Sequence, residues 1–272
     1  MTNPTIRSID GHAVSRRGAL AAIAAAPALL LPAAAQTRTV TAKRQTRQPT
    51  DPLSLAIAAA RRGEAAARAM AGYSATLVKR ERIGQTLLQS EMRIKLRHDP
   101  LAIYVQFVEP YEGRQILFRE GLNDNNMLVR QTGLASLLGT MSVAPTSELA
   151  LKENRHPITS AGMASLAAKT ADQWTDAAAS PQPPAVKRYP QAKFDQYVCE
   201  AFELNDATAS DGVARSRLFL DRQTGLPIRA QRYERAGDGL VLVEDYAYIG
   251  LDLRTELTAR DFDPANPEYG FE

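Results

Sequence analysis

The repeat of apolar positions changes once, near residue 72, and that change sets the expected order of elements. Between Asp51 and Gly72, Leu53, Ala56, Ile57, Ala60, Ala67 and Met70 recur on one side of a 3.6-residue period, while Arg61 and Arg68 fall on another. Asp51 can accept from free backbone N–H groups, Pro52 stands where its missing N–H costs nothing, and Gly72 is a natural stop. The spacing predicts one amphipathic helix of about five turns. After Gly72 the period becomes two. Residues 73–83 and 86–97 predict strands joined near Gly84-Gln85. In the second strand Met92, Ile94 and Leu96 alternate with Glu91, Arg93, Lys95 and Arg97, giving one buried and one wet face. Asp99-Pro100 then turns the chain into Leu101–Val108, apolar on both faces and expected to be central and covered on both sides. Strands are also expected at Arg114–Glu120 and Met127–Gln131, separated by the turn-forming run Gly121–Asn126.

Residues 133–178 interrupt this order. Met163, Leu166, Thr170 and Trp174 keep helical spacing, so a helix is expected near 161–177, capped by Thr159 or Ser160 and ended by Ser180–Pro184. Strands resume at 186–193, 196–204, 213–221, 227–235 and 240–249. About ten short sequential strands with tight connections, and two or three helices, imply a mainly β, α+β fold built from antiparallel meanders. No shift in composition marks a second domain, so residues 51–272 are read as one domain with a helical insertion near 133–178.

The N-terminal segment has a different character. Residues 12–36 read as an export signal: Arg16 and Arg17 form a positive region, Gly18–Pro32 a short apolar core, and Ala33-x-Ala35 the small residues that a signal peptidase needs. Processing is expected to leave a chain starting at Gln36 and working in the periplasm. Ser15-Arg16-Arg17-x-x-Leu20 resembles a twin-arginine signal, with Ala19 where phenylalanine is usual, which leaves general secretion open as well. Pro27 and Pro32 break a run shorter than the ~20 residues a membrane span needs. Residues 36–50 are polar and basic and read as a flexible leader.

The whole chain has a formal net charge of +3, which falls to about +1 once residues 1–35 are removed, so charge gives no reason to expect a nucleic-acid partner. Lys79-Arg80-Glu81-Arg82 and Arg93-x-Lys95-x-Arg97 mix cations with Glu81 and Glu91 and read as a charged, aggregation-resistant sheet face. Cys199 is the only cysteine and sits in an apolar alternation that suggests a core position. Beyond the leader, only His98 and His156 could serve as a catalytic base; both lie at turns, and no Gly-x-Ser-x-Gly elbow occurs. One cysteine and two histidines give no spaced metal-ligand set, and no nucleotide-binding glycine loop is present. The reading is therefore of a non-enzymatic protein without a cofactor.

Six separated motifs carry a resemblance: Tyr73-x-Ala75-Thr-Leu-Val-Lys-Arg-Glu-Arg82; Pro100 with Tyr104 and Phe107; Gly113-Arg114; Asn154-Arg155-x-Pro157-Ile158-Thr159; Asp221-x-x-x-Gly225-Leu-Pro227; and Asp261-Phe-Asp-x-x-Asn266-Pro-x-Tyr269-x-Phe271. In this order they resemble the bacterial family called domain of unknown function 1571. That family looks like a relative of the lipoprotein-carrier superfamily of LolA, LolB and the sensor RseB. The resemblance implies a strongly curved antiparallel sheet forming an unclosed barrel, with helices against its concave face over an apolar cavity, and a part in lipid binding or outer-membrane lipoprotein sorting. On that expectation Met92, Ile94, Leu96, Ile103, Val105 and Phe107 from the strands would meet Met163, Leu166 and Trp174 from the covering helix around a lipid, an acyl chain or another apolar ligand. The leading expectation is a periplasmic, non-enzymatic carrier or binding protein for such a ligand; the alternative is an envelope sensor that binds another protein through the same fold, and a hydrolase, which would need His98 or His156 as its base, comes third.

Overall fold

The structure is a computed structural model that describes residues 51–271 apart from Ser210 and Thr255. The export signal, with Arg16, Arg17, Ala33 and Ala35, and the polar leader lie outside the described residues. Helix α1 (Pro52–Arg68) begins as its sequence dictates, with Asp51 Oδ1 accepting from the backbone N–H of Leu53 and Ser54 at 3.0 Å each. Eleven strands follow: β1 (Gly72–Ile83), β2 (Thr86–Arg97), β3 (Ala102–Glu109), β4 (Gln115–Arg119), β5 (Met127–Arg130), β6 (Thr140–Val143), β7 (Ala185–Phe194), β8 (Tyr197–Asn205), β9 (Val213–Asp221), β10 (Pro227–Ala236) and β11 (Gly239–Asp252). Between β6 and β7 lie the single turn α2 (Glu148–Leu151) and helix α3 (Met163–Ala178).

The strands form one antiparallel sheet in the order β6-β5-β4-β3-β2-β1-β11-β10-β9-β8-β7. Two meanders, β1–β6 and β7–β11, therefore meet at a single seam, the β1–β11 pair. This corrects the expected shape. Among the described residues the sheet is open, with β6 and β7 at its edges, and it is neither strongly curled nor closed into a barrel. The physical reason is that alternation of apolar residues specifies which face is buried but not how far the sheet coils, which depends on strand tilt and stagger. Layers on both faces also remove the need for the sheet to wrap around its own core.

On one face, α1 and α3 pack side by side over β7, β9 and β10. The close fit follows from small residues: Ala56, Ala59, Ala60 and Ala171 are buried at 0–1 % exposure, and a Cβ added at Gly63 would lie 2.6 Å from Leu220 Cδ2. The rest of that face, over β2–β5, is covered by residues 141–162, which bring Met141, Val143, Ala150 and Ile158 onto Phe118, Met127 and Val129. Thus the segment read as a helical insertion also carries the edge strand β6. On the opposite face the C-terminal segment crosses β3 and β4, burying Phe262 and Phe271 against Ala102, Tyr104 and Leu117. Tyr269 stacks on Tyr104 with centroids 4.0 Å apart, and Lys95 Nζ donates to Asp261 Oδ1 at 2.8 Å. This second layer explains why β3 is apolar on both sides.

Candidate functional site

Register places the cavity. Across the β1–β2 pair Tyr73 faces Leu96, Ala75 faces Ile94, Leu77 faces Met92, Lys79 faces Ser90 and Glu81 faces Leu88, so these residues share one side of the sheet. Across the seam the same side continues through Tyr248, Tyr246 and Glu244, opposite Leu77, Lys79 and Glu81. One side of β1 is therefore apolar at its start and charged at its end. Over this change lies a cavity of about 220 Å³ between the sheet, the 145–162 cover and α3. Its apolar wall includes Leu77, Met92, Ile94, Val105, Phe107 and Leu166; its polar end includes Lys79, Glu81, His156, Lys169, Arg232, Glu244 and Tyr246.

The polar end is a clasp. Glu81 and Glu244 stand directly opposite each other across the seam, a pairing of like charges that destabilises a sheet unless cations offset it. Both are nearly inaccessible, at 2 % and 4 % exposure. The cover supplies much of the compensation: Arg155 donates through its backbone N–H to Glu81 Oε2 at 3.1 Å and through Nε to Glu244 Oε1 at 3.0 Å. His156 Nε2 lies 3.0 Å from the same Glu244 oxygen. From the sheet, Arg232 Nη1 donates to Glu244 Oε2 at 2.9 Å, Lys79 Nζ to Glu81 Oε2 at 3.0 Å, and the Tyr246 hydroxyl to Glu81 Oε1. Lys79 also bonds Asn154. Burial would raise the Glu244 pKa, but the His156 hydrogen bond and the charges of Arg232, His156 and Arg155 outweigh it and hold the carboxyl at about 2. Burial drives the Tyr246 hydroxyl the other way and, with the charges of Glu244 and Glu81, keeps it protonated.

The cover is fixed at its other end by two tyrosines. Helix α3 has no side-chain cap of its own; instead Gly162 N–H donates to the Tyr248 hydroxyl at 2.9 Å and Met163 N–H to the Tyr73 hydroxyl at 3.0 Å. Gly162 is required here. Its φ is +107°, and an added Cβ would sit 2.7 Å from Leu96 Cδ1.

Of the nine residues expected around a ligand, Met92, Ile94, Val105, Phe107 and Leu166 line the cavity. Leu96, Ile103 and Met163 lie behind it in the same core, at 0–1 % exposure. Trp174 belongs to a separate core with Leu53, Phe202 and Leu218, and its Nε1 donates to Ser216 Oγ at 2.7 Å. Sequence reasoning missed Glu81, Lys169 and Glu244. Parity was the available signal for Glu81, since it follows Leu77 and Lys79 at spacing two and must face the same way. Among the described residues neither histidine bonds a serine, threonine or cysteine, and no group of three or more His, Cys, Asp or Glu could hold a metal ion. Burial pushes the Cys199 thiol up to about 11, away from the reactive thiolate.

A family model described as a protein of unknown function, DUF1571, matches residues 70–271. The chain belongs to the DUF1571 family. In this DUF1571 chain three of the six motifs fall on parts of the fold already described: Tyr73–Arg82 supplies the cavity side of β1, Asn154–Thr159 the clasp, and Asp261–Phe271 the layer on the opposite face. No curated protein matches the sequence. Among solved structures, the chain is similar to a DUF1329 family protein from Desulfovibrio piger, at 14% identity and TM-score 0.39 over 79% of this chain and 98% of that one. It is similar to the Pseudomonas aeruginosa MucA/MucB complex at 15% identity and TM-score 0.42, over 76% of this chain and 60% of that one. It also matches the Mycobacterium tuberculosis lipoprotein LppX at 10% identity and TM-score 0.43, over 75% of this chain and 98% of that one. Among the described residues no helix is long and apolar enough to cross a membrane.

Proposed function

We propose that this DUF1571 protein is a non-enzymatic binding module of the cell envelope, acting as a sensor or interaction protein whose cavity admits part of one aliphatic chain. The observation that carries the reading is the size and lining of the cavity. Its apolar wall suits a hydrocarbon, yet about 220 Å³ is below the ~300–1,000 Å³ of ordinary small-molecule pockets. A space of that size would leave most of a multi-chain lipid in water, which argues against bulk transport. The surface favours a protein partner: Leu134, Leu137 and Leu138, at 90%, 86% and 69% exposure, stand just before the free edge strand β6. The other edge is guarded, since β7 carries Pro190, Lys187, Arg188 and Lys193. The envelope location rests on the export signal read at residues 12–36.

A carrier of a single-chain lipid is the second reading, favoured by the same apolar wall. Native mass spectrometry of the protein taken from its own envelope fraction tests both. The expected result is a chain beginning at Gln36 with an envelope protein bound, and loss of that partner on replacing Leu134, Leu137 and Leu138 with serine. A full load of multi-chain lipid without a partner would overturn the sensor reading, and a chain retaining Arg16-Arg17 would overturn the export argument.

A further inference from the structure

Among the described residues four lysine and arginine side chains line the cavity, and three are accounted for. Lys79 is held by Glu81, Arg232 by Glu244, and Arg114 by Gln131 and Glu153 while its guanidinium lies 3.9 Å from the centre of the Tyr111 ring. Lys169, the fourth, makes no hydrogen bond or ion pair among the described residues. It stands on α3 one turn beyond Leu166, which belongs to the apolar wall, and is itself partly buried. The three acids of the lining, Glu81, Glu153 and Glu244, are engaged with other partners. One positive charge is thus left over at the junction of the hydrocarbon wall and the polar end.

We infer that Lys169 receives the anionic head of a single-chain amphiphile whose tail lies along Leu77, Met92, Ile94, Val105 and Phe107. This rests on the reading of the cavity as a ligand site and adds the charge of the ligand's head. A long-chain carboxylate fits both parts, with one tail for a narrow apolar space and one negative charge for an unmatched ammonium. Burial, reinforced by the like charge of Arg232 and opposed by Glu244 and Glu81, pulls the Lys169 pKa below its ordinary value. An anion at this position would offset that desolvation. Glu81 and Glu244 do not bar it, because each already accepts from at least two cationic or neutral donors.

Calorimetric titration of the full chain, as expressed and processed by the cell, with dodecanoate, dodecanol, dodecyltrimethylammonium and phosphatidylglycerol tests this. Dodecanoate should bind about tenfold more tightly than dodecanol, the cation more weakly still, and the two-chain phospholipid least. Lys169→Met should remove the preference by weakening dodecanoate about tenfold while leaving dodecanol unchanged, and Lys169→Arg should retain it. Unchanged melting temperatures for both variants would show that the fold is intact. Equal binding of all three single-chain probes, or a Lys169→Met variant that binds dodecanoate like the parent, would overturn the role of Lys169 alone. If none of the four probes binds, the ligand site itself is overturned.

Discussion

Replacing Glu244 with glutamine should unfasten the clasp, and its cost can be worked from the structure. The carboxylate is 4 % exposed and accepts from Arg155 and Arg232, with His156 at 3.0 Å. Its pKa of about 2 lies below the ordinary 4.5. A depression of that size corresponds to ~3 kcal/mol of stabilisation of the folded state. The sign follows from the direction: a carboxyl depressed on folding contributes in full above its unfolded pKa, and the contribution is lost as pH falls through the folded value. Truncating one partner of a buried ion pair gives an independent estimate of ~3–5 kcal/mol. Arg155 keeps Glu234 and the Arg82 carbonyl, so the lower figure is expected. Urea unfolding of the parent and Glu244→Gln at pH 7 should differ by ~3 kcal/mol, or ~6–12 °C in melting temperature. The difference should shrink between about pH 4.5 and pH 2, because only the parent has this charge to lose. A gap under ~1 kcal/mol at pH 7, or one independent of pH across that window, would refute the account of Glu244 as the anchor of the cover.

Gly162→Ala should cost ~1–3 kcal/mol in the same assay, from its φ of +107° and the contact with Leu96; an alanine variant as stable as the parent would show that the cover shifts freely. Ile103→Phe should cost ~1–3 kcal/mol by overpacking, since Ile103 is 0 % exposed behind the cavity; an unaffected melting temperature would mean that space extends behind the wall. Trp174 emission should stay unchanged at saturating dodecanoate, because its ring lies in the separate core and bonds Ser216; a saturable shift would place the ligand against α1 instead.

Much of the fold was legible because each local rule acted alone. Asp51-Pro52 started α1, the switch of period at Gly72 started the sheet, and the apolar run after Asp99-Pro100 marked a strand covered on both sides. Strand β6 was not legible. Its four residues Thr140–Val143 are too few to show alternation, and the exposed leucines before it look like the end of an apolar helix. The coil of the sheet was illegible for a deeper reason, since a buried face reads the same in a flat and in a curled sheet. For the site, the apolar wall could be read from β2 and β3, but the clasp could not. Glu81 lies among basic residues that look like a wet face, and only the pairing of β1 with β11 puts Glu244 beside it.

That pairing also shapes how the chain must fold. Each meander is made of neighbours in sequence and can form by successive hairpins, whereas the seam joins Glu81 to Glu244 across most of the described chain. Loop-closure entropy grows only slowly with separation, by ~0.6 kcal/mol per doubling, so the seam is slow to find rather than weak once made. Until it closes, β1 and β11 each present an unpaired edge, and β1 carries Leu77 and Val78 along it. Two molecules caught at that stage can exchange halves, β1 of one pairing with β11 of the other. The joint that builds the cavity is therefore also the place where a crowded, half-folded population would swap domains.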